Sequence, residues 1–110
     1  MEAAVPGQRK QSPLLAECLK TLREREADLH ARGILHAAIF GSVARGEDRG
    51  DSDIDVIVEV QRNAGFGVIK LVGLQRELGQ AFGRSVDVVS KGGLKSPKHD
   101  HILVEMIQAF

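Results

Sequence analysis

Two aspartates stand two residues apart at the start of an alternating apolar run. Asp53 and Asp55 open a stretch that continues to Val60. Side chains two residues apart on a strand point to the same face, so these two carboxylates are predicted to stand side by side. Adjacent carboxylates repel each other unless a cation lies between them. Mg²⁺ takes oxygen ligands and usually brings substrate phosphates with it, so the pair predicts a metal-dependent site that handles phosphate.

A third carboxylate, Asp87, interrupts another apolar run that contains Val86, Val88 and Val89. Burying a carboxylate in such a strand is costly unless something pairs with it. If this strand lies beside the first one, Asp87 joins the two earlier aspartates and completes a triad. Metal ions held by such a triad would bridge phosphates, and one carboxylate could accept the proton of an attacking hydroxyl.

The turn at Gly41 and Ser42 follows an apolar run and supplies groups suited to phosphate. Glycine lets the backbone approach a ligand closely, and backbone N–H groups at a helix start favour phosphate oxygens. Ser42 adds a hydroxyl donor. Arg45 lies three residues further, on the same side of a short helix. It would either contact phosphate or pair with Glu47 or Asp48 at the surface.

The elements that must position these residues can be read along the chain. Residues 1–12 are predicted to form a flexible tail, and residues 13–110 one small α/β domain with a mixed sheet flanked by helices. Ser12 and Pro13 give a helix-start signal, and Gly33 suits the end of that first helix. Hydrophobic periodicity predicts strands over 34–40, 53–60 and 85–90, a helix over 68–82, and a final apolar helix after Pro97.

Composition limits the class of protein. The chain has 110 residues with 15 Lys plus Arg and 15 Asp plus Glu, so its formal net charge is zero and direct nucleic-acid binding is not expected. The one cysteine, Cys18, excludes an internal disulfide. The sequence shows neither an apolar run of membrane-spanning length nor a signal peptide, so a cytoplasmic protein without a membrane partner is expected.

Nine residues combine the turn and the paired aspartates into one pattern: Gly41, Ser42, Ala44, Arg45, Gly46, Ser52, Asp53, Asp55 and Val58. This pattern, GSxARGxxxxxSDxDxxV, resembles that of the minimal nucleotidyltransferases, which belong to the superfamily that includes DNA polymerase beta. The resemblance extends over about residues 14–110, because the predicted order of elements also agrees. It implies Asp53, Asp55 and Asp87 as catalytic metal ligands, and Gly41 and Ser42 as contacts to the nucleotide phosphates.

The same resemblance implies a physiological role. Many minimal nucleotidyltransferases act as antitoxins beside a helical HEPN-family ribonuclease toxin, and they transfer AMP from ATP to a tyrosine of that toxin. The expectation for this chain is therefore AMP transfer from ATP, with one or two Mg²⁺ ions, to a hydroxyl of a partner protein. Larger nucleotidyltransferases carry an extra helical domain on the acceptor side, so here the second substrate is expected to dock from outside.

Two alternatives stay open. In the first, the domain is a non-catalytic antitoxin that acts by binding, although three mutually repelling acids argue against that interpretation. In the second, the domain is a nucleotidyltransferase with a small-molecule acceptor such as an antibiotic. The apolar tail predicts either a buried helix or an interface with a partner or a second copy of the chain. Its large apolar residues are Ile102, Leu103, Val104, Met106, Ile107 and Phe110.

Overall fold

The computed structural model describes residues 13–49, 52–65, 67–93 and 105–110, and the predicted tail over 1–12 lies outside them. The helices are α1 (Pro13–Glu24), α2 (Glu26–Ala31), α3 (Gly41–Ala44) and α4 (Val68–Phe82), with one turn of 3-10 helix over Lys91–Gly93. The strands are β1 (Ile34–Phe40), β2 (Ile54–Val60), β3 (Val86–Ser90) and β4 (Ile107–Gln108). The strands predicted over 34–40, 53–60 and 85–90 and the helix over 68–82 are thus confirmed to within one residue.

The four strands form one mixed sheet in the order β3-β2-β1-β4. Strand β1 pairs antiparallel with β2 and with β4, whereas β2 pairs parallel with β3. A parallel pair needs a crossover connection, and α4 supplies it between β2 and β3. The predicted small mixed sheet flanked by helices is confirmed.

One face of the sheet carries the hydrophobic core. Helix α1 buries Leu15, Cys18, Leu19 and Leu22. Leu29 of α2 and Leu74 and Leu78 of α4 join them against the inward-facing strand residues. Burying one such side chain fully is worth about 1.5–3 kcal/mol, so this face holds the helices on the sheet. The face that carries Asp55 and Ile57 points away from this core, because alternate residues of β2 point to opposite sides.

Two predictions about the helices need correction. The first helix is interrupted at Arg25, whose N–H bonds to Leu22 O, three residues back instead of four, at 3.1 Å. The final helix is wrong for Ile107–Gln108, which form edge strand β4 beside Ala38 and Ile39. A short apolar run fits a helix or a strand equally well by its pattern, and pairing with β1 decides the outcome here.

The remaining part of the predicted final helix, residues 94–104, lies outside the described residues. No helix within the described ranges has both the length and the apolar character needed to cross a membrane.

Candidate active site

Strand register brings the two halves of the predicted site together at one end of the sheet. Asp55 on β2 is the Cα partner of Asp87 on β3, and neighbouring strands lie about 4.8 Å apart. On its other side Asp55 is opposite Phe40, the last residue of β1. The chain then turns into α3 at Gly41, so the glycine-serine turn begins directly beside the aspartates.

Asp53 and Asp87 are both exposed, whereas Asp55 between them is half-buried. Asp53 lies one residue before β2 begins, so its side chain is not fixed by strand pairing. The condition for a triad, that the strand of Asp87 lies beside that of Asp55, is met. The roles assigned to the three aspartates stay predictions.

Gly41 approaches Asp55 so closely that a side chain would not fit between them. A Cβ built at this position would overlap Oδ2 of Asp55. The residue also has a φ of +76°, in the left-handed region that glycine adopts without strain. Both observations explain why this turn needs glycine.

Helix α3 is a single turn anchored by two buried side chains, Val43 and Ala44. Two backbone hydrogen bonds stabilise this turn. The Arg45 N–H donates to Gly41 O at 3.1 Å, and the Glu47 N–H donates to Ser42 O at 2.8 Å. The first N–H groups of any helix have no partner within that helix. Gly41 and Ser42 therefore present backbone donors at the end of the sheet that carries Asp55.

Electrostatics at Asp55 reflect its neighbours. Burial raises the pKa of its carboxyl above the usual 3.8, and the charges of Asp87 and then Asp53 raise it further. Arg45 acts in the opposite direction on the same pKa. The ionised carboxylates are therefore close enough to disfavour each other, which is the condition that a bound cation relieves.

The donor set fits Mg²⁺ by its chemistry, since all three side chains offer oxygen ligands. Within the described ranges, no three His, Cys, Asp or Glu side chains already converge on a point where a metal ion would be held. Mg²⁺ commonly uses one or two carboxylates together with substrate phosphates and waters. An incomplete protein cage is thus compatible with an ion that arrives with a nucleotide.

Arg45 is engaged by two carboxylates. Its Nε donates to Glu47 at 2.8 Å and its Nη1 donates to Glu105 at 2.9 Å. These hydrogen bonds, first that of Glu47, raise the pKa of the guanidinium. The predicted pairing with Glu47 is confirmed, whereas the link to Glu105 joins the turn after α3 to the segment before β4. Contact of Arg45 with phosphate stays a prediction.

Two further residues support the site and were not singled out from the sequence. Arg84 donates from Nη1 to Ser52 O at 3.0 Å, which ties the chain just before Asp53 to the end of α4. Gln75 of α4 accepts the N–H of Val88 at 3.0 Å, next to Asp87 on the edge strand β3. Neither contact has a sequence signal, because each depends on how α4 packs beside the sheet.

Comparisons with known proteins show the family to which the chain is similar. The family model of a nucleotidyltransferase domain matches residues 15–109. The protein adenylyltransferase MntA of Thermococcus cleftensis is 34% identical over 88 residues, covering 80% of this chain and 81% of that protein. The solved structure of a candidate minimal nucleotidyltransferase is 39% identical, with a TM-score of 0.64, over 81% of this chain and 93% of the other.

A more distant solved structure shows likeness of fold alone. It is the tri-AMPylated HEPN toxin of Shewanella oneidensis in complex with an MNT antitoxin. The matching chain is 17% identical with a TM-score of 0.60, and the match covers 84% of this chain and 71% of that one.

Proposed function

The chain belongs to the minimal nucleotidyltransferase family, and we propose that it transfers AMP from ATP to a hydroxyl of a partner protein in a Mg²⁺-dependent reaction. The observation that carries this proposal is the register that sets Asp55 beside Asp87, at the end of the sheet where Gly41 begins α3. Carboxylates and backbone donors meet there on one side of a small sheet. This combination suits a nucleotide triphosphate with its metal ion.

In the proposed reaction, the acceptor oxygen attacks the α-phosphorus of ATP and forms a new P–O bond. The bond from that phosphorus to the bridging oxygen breaks, and pyrophosphate leaves with the electron pair. A carboxylate oxygen of Asp55 or Asp87 takes the proton of the acceptor hydroxyl. The backbone of Gly41 and the hydroxyl of Ser42 hold the β- and γ-phosphates, so that the departing oxygen lies opposite the attacking one.

Asp53, Asp55 and Asp87 are the residues that would hold Mg²⁺. When bound, the ion would neutralise charge on the phosphates and on the departing pyrophosphate. The raised pKa of Asp55 supports this assignment, because burial and the neighbouring acids leave its negative charge poorly compensated within the protein.

The partner we propose is a helical HEPN-type toxin, with tyrosine as the acceptor residue, so that the chain acts as an antitoxin. The relative from Thermococcus cleftensis is a protein adenylyltransferase, which supports a protein acceptor. The AMPylated toxin in the more distant complex supports the choice of partner. The cytoplasm, where ATP is abundant, is the compartment we propose for the reaction.

A second candidate function is antitoxin action by binding alone. The Arg45 contacts favour it in one respect, since a guanidinium held by Glu47 and Glu105 must exchange partners before it contacts phosphate. The three acids argue against it, because their mutual repulsion has no use in a pure binding module.

Intact-mass spectrometry of a HEPN-type protein offered as the acceptor would test the proposal. That protein would be incubated with this chain, ATP and Mg²⁺, with or without an excess of EDTA. The expected result is a mass gain of one or more AMP units that EDTA abolishes. The Asp53→Ala, Asp55→Ala variant should give no gain, whereas Asp28→Ala, which removes an exposed acid on α2, should behave as the native chain.

Tight binding without any mass gain would reject the enzymatic proposal in favour of the binding antitoxin. Transfer to a small hydroxyl compound in the absence of any protein acceptor would favour the small-molecule alternative. Peptide mapping of the modified partner would establish whether the acceptor is tyrosine.

A further inference from the structure

The backbone on both sides of Asp53 is held by two consecutive residues of the α4–β3 connection. Before Asp53, the Nη1 of Arg84 donates to Ser52 O at 3.0 Å. After it, the Ile54 N–H donates to Ser85 O at 3.0 Å. Asp53 lies just outside β2, so strand pairing does not fix its position. The place of its carboxylate therefore depends on these two hydrogen bonds.

Arg84 also bonds to the chain further ahead of Asp53. Its Nη1 donates to Arg49 O at 3.4 Å, and the Ser52 N–H donates to the same carbonyl at 3.0 Å. The Arg49 N–H in turn donates to the hydroxyl of Ser52 at 2.6 Å. Without Arg84, the Ser52 carbonyl would lose its donor in a partly buried place. The guanidinium thus holds together the backbone that leads into Asp53.

The connection that holds Asp53 also carries Asp87. The Arg84 N–H donates to Gly79 O at 3.2 Å, which ties the start of this connection to α4. Asp87 follows three residues later, on β3. One short piece of chain therefore determines how far apart the carboxylates of Asp53 and Asp87 lie. Groups that orient metal ligands in this way matter for binding, since their loss typically lowers metal affinity by about 10- to 100-fold.

The influence of Arg84 on the site comes from backbone position rather than from its charge. After burial, the charges that act on the pKa of Asp55 are those of the two other aspartates and Arg45. Burial and the charge of Glu17 raise the pKa of the Cys18 thiol, and Arg84 acts against them. The charge of Arg84 is thus felt on the side of the core, where α1 lies.

We propose that Arg84 is a positioning residue for the metal site, because its guanidinium holds the backbone in front of Asp53. It keeps the exposed carboxylate of Asp53 at a fixed distance from Asp87, so that both can take part in holding a Mg²⁺–nucleotide complex. Arg84 itself contacts neither the metal ion nor the substrate in this scheme. The inference rests on the proposed function, and it adds the residue that gives the exposed ligand its place.

Isothermal titration calorimetry tests this role without any acceptor protein. The chain would be titrated with a non-hydrolysable ATP analogue, once in Mg²⁺ and once in EDTA. Arg84→Met should raise the Kd in Mg²⁺ by about 10-fold and leave the Kd in EDTA unchanged. Arg84→Lys, which keeps a cationic donor, should bind in Mg²⁺ almost as tightly as the native chain. Arg76→Met is the matched control, since it removes an exposed arginine of α4 and should bind as the native chain does.

A double-mutant cycle with Asp53→Asn shows whether Arg84 acts through Asp53. In the Asp53→Asn background, Arg84→Met should raise the Kd in Mg²⁺ by less than about twofold, because the ligand that Arg84 positions is already lost. Equal increases in the two backgrounds would overturn the inference, since Arg84 would then act independently of Asp53. If Arg84→Met does not fold, Arg84→Gln takes its place in the cycle, because its shorter side chain does not reach Ser52 O.

The inference and the proposed function fail in different ways. An unchanged Kd in a folded Arg84→Met variant would refute the positioning role while the proposed transfer of AMP stands. If the native chain binds the analogue with Mg²⁺ but transfers no AMP, the proposed function fails, and the cycle still decides the role of Arg84. Absence of any Mg²⁺-dependent binding by the native chain would overturn both.

Discussion

Gly41 and Asp55 are in contact across the end of the sheet, with the glycine Cα facing Oδ2 of the aspartate. The contact joins the turn proposed to hold phosphate to the carboxylate proposed to hold the metal ion. It exists only because residue 41 has no side chain. Either Asp55 or the turn must move if a Cβ is added.

Gly41→Ala is therefore expected to abolish AMP transfer, with a loss of at least about 100-fold, because small displacements of reacting groups have effects of this size. It should also lower the free energy of unfolding by about 1–2 kcal/mol, since alanine is strained at a φ of +76°. Transfer rate and thermal unfolding would be measured on the same preparation.

The control is Gly83→Ala at the end of α4. Gly83 has a φ of +72°, but a Cβ there would meet nothing within 4 Å. Both variants carry the backbone strain, and only Gly41→Ala carries the overlap with Asp55. Equal losses of activity in the two variants would show that strain alone is responsible and that the contact has no part in catalysis.

Asp55→Asn is expected to stabilise the metal-free protein at neutral pH while it abolishes transfer. Burial, Asp87 and Asp53 raise the pKa of the Asp55 carboxyl in the folded chain above the usual 3.8. Because the folded pKa is the higher one, the protonated carboxyl contributes stability at a pH below 3.8. This contribution is lost as the pH rises through the raised pKa of the folded chain. Asparagine removes this loss.

Thermal unfolding in EDTA between pH 3 and pH 7 measures the effect. The melting temperature of Asp55→Asn should exceed that of the native chain at pH 7, and the difference should shrink as the pH falls towards 4 and below. A difference that does not vary with pH would mean that the titration of Asp55 is not its cause. When Mg²⁺ and a non-hydrolysable ATP analogue are added, the melting temperature of the native chain should rise, whereas that of Asp55→Asn should not.

Arg45 is expected to need its fork of donors and not only its positive charge. Arg45→Lys keeps the charge but cannot donate to Glu47 and Glu105 in the same geometry. The loss of stability should be small, about 0–1 kcal/mol, because such partly exposed pairs contribute little. Chemical denaturation would measure it. Glu105→Gln should cost more than Glu47→Gln, since Glu105 is 27% exposed and Glu47 64%.

Cys18 offers a check on folding for all of these variants. Burial in the core and the charge of Glu17 raise the pKa of its thiol to about 11 from 9.0. Because the folded pKa is the higher one, its contribution to stability is complete below pH 9 and is lost as the pH rises towards 11. In the folded chain at pH 8 the thiol should react with a thiol reagent at least about 100-fold more slowly than in denaturant. Fast reaction in a native-like sample would contradict the buried position.

The three longer strands, helix α4 and the placement of Asp55 beside Asp87 were predictable from local patterns. Alternation identified β2, and the spacing of Asp53 and Asp55 indicated a common face. Helical spacing puts Cys18 on the same face as Leu15 and Leu22, and its side chain is fully buried. These features depend on residues close together in sequence.

The features that escaped prediction depend on contacts between distant parts of the chain. Arg45 meets Glu105 across 60 residues, and Arg23 donates from Nε to Ala109 O across 86. The apolar side chain of Ile107 would fit a buried helix as well as a strand. Ile107 lies in a strand because it pairs with the edge of β1. Ala38 and Gln108 likewise become neighbours only once β4 pairs with β1.

Gln75 is expected to position Asp87 indirectly, through its hydrogen bond to the neighbouring residue Val88. Its Oε1 accepts the N–H of Val88 on the edge strand β3, at 3.0 Å. In Gln75→Leu this donor loses its acceptor in a partly buried place, which should destabilise the fold by about 1–3 kcal/mol. Transfer should slow by about tenfold, because β3 then holds Asp87 less firmly against β2. Denaturant unfolding and the rate of AMP transfer are the two measurements.

Gln80→Leu is the matched control, since Gln80 is exposed on the same helix. Gln75→Glu separates positioning from stability, because it keeps an oxygen that accepts the Val88 N–H and should restore the rate. A rate that stays low in Gln75→Glu at native stability would argue that Gln75 does not position Asp87 through this hydrogen bond. A rate that falls equally in Gln80→Leu would trace the loss to α4 as a whole.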